Sequence, residues 1–133
     1  MPHPTLLVVD DDDQMRALLT DYFKQQLRAE VDVARDGAEA LHQIATKRYA
    51  VVVLDLMMPH MSGIDFLDSL EALTSDPSLK TLRTLPAVLV VTCASPDYVS
   101  NRDLEQRFPT LVRGVLRKPL DVHALAERVE ALM

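Results

Sequence analysis

Short apolar runs rich in Val and Leu alternate with helical patterns from one end of the chain to the other, and this alternation restricts the fold more than any other feature. Residues 5–9, 50–54, 87–91 and 111–116 are apolar and rich in Val and Leu on successive positions, with Thr5, Arg113 and Gly114 the exceptions. Such runs read as strands covered on both faces, the habit of a parallel sheet. Residues 30–34 alternate instead and suit an edge strand. Between the runs, Met15, Leu18, Leu19, Tyr22, Phe23 and Leu27 share one face at a helical period. Ala38, Leu41, Ile44 and Ala45 repeat the pattern behind Asp36 and Glu39, which are spaced as a capping pair. Val122, Leu125, Val129 and Leu132 do so behind Asp121, an N-cap. Ser95-Pro96 reads as a cap and first-turn proline for a polar helix over 97–108. Five strands and five helices in strict alternation predict an α/β doubly wound parallel sheet. The polar stretch 74–85 is the loosest part, an extension of the third helix or a surface loop.

Composition narrows the function. A chain of 133 residues suits one domain, expected over 1–133 with no effector domain. The net charge of -6 argues against a general grip on nucleic acid. Cys93 is the single cysteine, so an intramolecular disulfide and a Cys-rich zinc site are excluded and a reducing, cytoplasmic setting is expected. No apolar run reaches the roughly 20 residues that span a bilayer.

An open parallel sheet binds ligands beyond the carboxyl ends of its strands. There the sequence places Asp10-Asp11 after the first strand, Asp55 after the third, Thr92 after the fourth and Lys118-Pro119 after the fifth. Converging carboxylates repel, and one would take up a proton unless a cation intervened. Mg2+, a hard cation with oxygen ligands, resolves that conflict and keeps sites open for water or phosphate. It can also neutralise phosphoryl oxygens during transfer to a carboxylate. Lys118 offers a compact charge to a further phosphoryl oxygen and Thr92 a hydroxyl donor. Asp55, ending a central strand and facing both, is the nucleophile candidate.

Residues 6–12 (LLVVDDD), 52–59 (VVLDLMMP) with Ser62-Gly63, 90–92 (VVT) and 117–119 (RKP), in this order and spacing, resemble the receiver domain of bacterial two-component response regulators along nearly the whole chain. The resemblance implies a flavodoxin-like (βα)5 fold with strand order 2-1-3-4-5 and helices on both faces. It implies Asp55 as phospho-acceptor, with Mg2+ held by Asp11, Asp55 and the Met57 backbone carbonyl, and with Asp10 holding a metal-bound water. Thr92 would turn toward the phosphoryl group and Lys118 would pair with it. The Lys118-Pro119 bond would often be cis. The implied partners are a histidine kinase or histidine phosphotransfer protein and a downstream output protein; direct nucleic-acid and membrane binding are not implied, and a homodimer is left open.

Three departures from that pattern stand out. Val115 occupies a position that is usually aromatic and moves with the threonine. Met57 and Ala94, two residues beyond Asp55 and Thr92, cannot orient an attacking water by hydrogen bonding, which predicts slow self-dephosphorylation. The connection over 75–84 is longer than usual.

Plainer readings and rival functions complete the sequence picture. Asp12 and Asp13 are expected to cap a helix, not to bind metal. His3, His42, His60 and His123 show no ligand spacing and are expected on the surface. Met57, Met58 and Met61 suit packing around a turn, and Cys93 tight packing beside Thr92. A haloacid dehalogenase-type phosphatase shares the Asp, Thr, Lys and Mg2+ set, but Met57 stands where its general acid would be. A nucleotide- or flavin-binding module would need a Gly-rich loop after the first strand, which the three glycines do not form.

Overall fold

The computed structural model describes residues 4–58, 61–74, 86–92 and 101–133. In chain order the elements are β1 (Thr5–Val9), α1 (Asp13–Leu27), β2 (Glu30–Ala34), α2 (Gly37–Thr46), β3 (Val51–Asp55), α3 (Gly63–Thr74), β4 (Ala87–Thr92), α4 (Asn101–Arg107), β5 (Val112–Arg117) and α5 (Val122–Leu132). The strands form one parallel sheet in the order β2-β1-β3-β4-β5. The chain first steps from β1 to β2 and then crosses to β3 on the other side of β1. The switch point therefore lies between β1 and β3.

Continuous apolar runs became central strands because both faces of the sheet are covered. In β1, Leu7 and Val9 face a layer built by α2, α3 and α4, where Ala40, Ile44, Phe66, Leu67, Leu70 and Leu104 are buried. Leu6 and Val8 face the opposite layer, in which α1 and α5 bury Leu19, Phe23, Leu125, Ala126 and Val129. β1 and β3 thus lie between two dry layers, and the residues at their carboxyl ends sit on a stiff base.

Helix starts follow local hydrogen bonding. Asp12 caps α1 by accepting from the Gln14 and Met15 amides. Asp121 caps α5 through the Ala124 amide. Asp36 accepts from the Glu39 amide at 2.9 Å. The expected reciprocal half of that capping box is replaced by another contact, because Glu39 turns its carboxylate to Arg35 at 3.4 Å.

Several expectations need correction. Leu18 is 49% exposed although its spacing fits the apolar stripe. The buried centre of α1 runs through Leu19 and Phe23, and at about 100° per residue Leu18 falls outside that arc. The third strand starts at Val51, not residue 50, and its last ladder residue is Asp55, paired with Val91. The fifth starts at Val112, and Leu111 instead packs in the core while its carbonyl accepts from Val88. Expectations for His3, His60, Cys93, Ala94, Ser95-Pro96, the start of the polar helix and the 75–84 stretch fall outside the described residues.

Candidate functional site

At the carboxyl edge of the sheet, carboxylate oxygens of Asp10, Asp11 and Asp55 all lie within 4.8 Å of one another. Asp10 and Asp55 are buried and Asp11 is exposed, so the cluster has a protein-facing side and a solvent-facing side. Asp10 and Asp55 are held in the same manner. Asp10 Oδ1 accepts from the Asp12 amide at 2.9 Å, and Asp55 Oδ1 accepts from the Met57 amide at 3.0 Å. Each is an Asx turn that fixes the carboxylate against its own backbone. The remaining oxygens, Asp10 Oδ2 and Asp55 Oδ2, face Lys118 Nζ at 3.6 and 3.5 Å.

Lys118 reaches this position from β5 past the end of β4. Its amide donates to the Thr92 carbonyl at 3.0 Å, which extends the β4–β5 pairing beyond β5. The Lys118-Pro119 bond is cis, in line with the resemblance. Thr92 is fully buried at the end of β4. Asp10, Asp11, Asp55 and Lys118 thus come together, with Thr92 joined to Lys118 through its carbonyl and Met57 to Asp55 through its amide. Asp12, by contrast, caps α1, and Asp13 pairs with Arg16. His42 and His123 are exposed as expected.

The electrostatics show what this cluster lacks. Burial pushes the Asp55 carboxyl above the usual carboxylate range, and Asp10 adds to the rise. The Met57 amide and Lys118 offset only part of it. Among the described residues, one ammonium serves two buried carboxylates, with a third acid beside them. A divalent cation would supply the missing positive charge, and the oxygen-only donor set with one open side fits Mg2+.

Gly63 shapes the turn that carries Met57. Its amide donates to the Leu56 carbonyl at 3.0 Å, and a Cβ there would lie 2.6 Å from Leu56 Cα and 3.1 Å from the Asp55 carbonyl oxygen. Backbone cannot yield as a side chain can. Gly63→Ala is expected to cost about 1–3 kcal/mol in urea unfolding and to disturb the Met57 amide that holds Asp55; a variant of wild-type stability would show that the turn relaxes freely.

A parallel sheet with strand order 2-1-3-4-5, carrying an acidic cluster and a lysine at its carboxyl edge, defines a flavodoxin-like domain with an anionic site at the switch point of its sheet. The family model described as response regulator receiver domain matches residues 6–130, and the chain belongs to that family. Probable chemotaxis protein CheY of Rhizobium etli is 30% identical over 128 residues, covering 96% of this chain and 90% of that protein. Regulatory protein VanRB of Enterococcus faecalis is also 30% identical over 128 residues, again 96% of this chain. The chain spans 51% of the length of VanRB, and 18% to 39% of several protein-glutamate methylesterases that it also resembles. Among solved structures, the Thermotoga maritima response regulator TrrA in complex with Mg(2+)-BeF is 26% identical with a TM-score of 0.75, covering 98% of this chain and 99% of that one. The protein is a receiver domain of two-component signalling, and the family match decides against the phosphatase alternative.

Proposed function

We propose that this domain accepts one phosphoryl group on Asp55 from a histidine kinase or a histidine phosphotransfer protein, in a Mg2+-dependent reaction. The observation that carries this reading is the convergence of three carboxylates within 4.8 Å with Lys118 held between the two buried ones. Asp11, Asp55 and the Met57 carbonyl would ligate Mg2+ directly, and Asp10 would hold it through a water. The metal supplies positive charge for the phosphoryl oxygens. An Asp55 carboxylate oxygen forms the new bond to phosphorus, while the P–N bond of the donor breaks and its electron pair stays on the imidazole. Lys118 and the Thr92 hydroxyl receive the phosphoryl oxygens on the protein side.

Residues 1–133 act in this reading as a single receiver domain that switches rather than turns over substrate. Phosphorylation replaces the single charge of the carboxylate by the roughly 1.5 to 2 negative charges of a phosphoryl group, a further excess where negative charge is already in surplus, and the response of Lys118 and Thr92 biases a two-state equilibrium. An output partner would read the change on α4, β5 and α5. Val115, half-buried against the layer of α2, α3 and α4, replaces the usual aromatic there, so transmission to that face is expected to be weak or to use other residues. The cytoplasm is the compartment that suits a single cysteine.

Incubation with acetyl phosphate and Mg2+, followed by intact-mass measurement, tests the reading. The wild type is expected to gain the mass of one phosphoryl group and Asp55→Asn to gain nothing. Equal labelling of both would remove Asp55 as acceptor. The labelled protein should also lose its phosphoryl group slowly, because the Met57 side chain cannot orient a water; a half-life of seconds would contradict this.

A further inference from the structure

Arg16 is a charged residue on the inward-facing side of α1, and its side chain is only 11% exposed. A guanidinium is seldom buried unless its donors are used. Here Nη1 donates to the Asp10 backbone carbonyl at 2.8 Å, and Nη2 pairs with Asp13, which is 89% exposed. The Asp10 carbonyl lies just past the last ladder pairs of β1, Val9 with Ala34 and Val9 with Leu54. It belongs to the peptide unit that joins Asp10 to Asp11. That unit is planar, so holding its oxygen orients the plane on which the Cα atoms of both acids lie. Asp10 has a second tether in the Asp12 amide, whereas Asp11 is exposed.

We propose that Arg16 is a positioning residue for the metal site: its hold on the Asp10 carbonyl keeps the Asp10 and Asp11 carboxylates in the arrangement that, with Asp55, binds one divalent cation. This rests on the reading that Mg2+ binds there. The role differs from packing because it predicts a loss in metal affinity that stability alone would not produce. It differs from charge pairing because Asp13 is dispensable to it.

Mg2+ titration by calorimetry, with melting in EDTA and phosphoryl uptake from acetyl phosphate, separates these roles. Arg16→Met keeps the apolar stem and removes both donors. Its Mg2+ affinity is expected to fall about tenfold or more, the range seen when groups that orient metal ligands are removed, with phosphoryl uptake recovering at saturating Mg2+. Arg16→Lys should fall between this variant and the wild type. Asp13→Asn should bind Mg2+ as the wild type does. Wild-type affinity in Arg16→Met, even with a lowered melting temperature, overturns the proposal, as does an equal loss in Asp13→Asn. If Arg16→Met does not fold, Arg16→Lys decides: weakened binding supports the role and wild-type affinity ends it. A wild type that binds no Mg2+ would instead defeat the functional reading itself.

Discussion

Mg2+ added to the metal-free protein should raise its melting temperature, and Asp55→Asn should raise it in EDTA. At Mg2+ about 100 times its dissociation constant the gain is about 2.7 kcal/mol. For a chain of 133 residues that corresponds to roughly 10 °C. The second effect has the same origin, since both changes relieve surplus negative charge at Asp10, Asp11 and Asp55. Burial and Asp10 raise the Asp55 carboxyl in the folded protein. Between the unfolded and folded pKa values the folded state binds more protons, so stability falls as pH rises through that window. The advantage of Asp55→Asn is therefore complete above the folded pKa and closes as pH falls toward the unfolded value of about 3.9. Melting curves in EDTA at neutral and acidic pH measure it. An Asn variant that melts below the wild type at pH 7 would show that the carboxylate is stabilising, and the argument for a required cation would fall.

Lys118→Met should have the opposite sign. Asp10 and Asp55 would lose the Lys118 ammonium that faces both, at 3.6 and 3.5 Å. Removing one partner of a buried ion pair costs about 3–5 kcal/mol. Lys118 retains 21% exposure, so screening places the expected loss near the lower end, about 3 kcal/mol. The methionine preserves most of the stem, which assigns the change to charge and not to packing. Urea unfolding in EDTA should show the loss, with partial recovery when Asp55→Asn is added or when Mg2+ is present. A single variant of wild-type stability would mean that water already screens these pairs. Together the two variants separate a site limited by excess anion from one held mainly by its ion pairs.

The sheet could be read from the sequence because burial on both faces writes a run that needs no period, as in residues 6–9 and 51–54. The acidic corner was legible for a related reason: Asp10 and Asp55 end apolar strands, where a carboxylate is costly without a partner. Amphipathic spacing served less well at its margins. Leu18 satisfies a helical period yet lies outside the covered arc, since period alone does not say how wide the contact is. Arg16 was overlooked as a functional candidate. Its signal, a long cation amid the apolar side of α1, was present, but the group it holds is a backbone carbonyl, which has no mark in the sequence. Gly63 reads in the sequence only as a turn residue, because its close approach to the Leu56 backbone arises from the fold.

The two outer strands bear on how the domain meets other chains. At β5 the pairing shifts between Val88 and Leu89, so Arg113 has no counterpart on β4 and the strand is bulged where it faces outward. On the other side, β2 carries Glu30 and Asp32, with Lys47 Nζ 3.0 Å from Asp32 and the Tyr49 hydroxyl donating to the same carboxylate at 2.7 Å. A bulge at one border and charge at the other both discourage continuation of the sheet into a neighbouring molecule. Side chains of helices and loops are thereby favoured over the sheet borders as contact surfaces. Contacts of that kind can be made and broken by a change of charge at the surface.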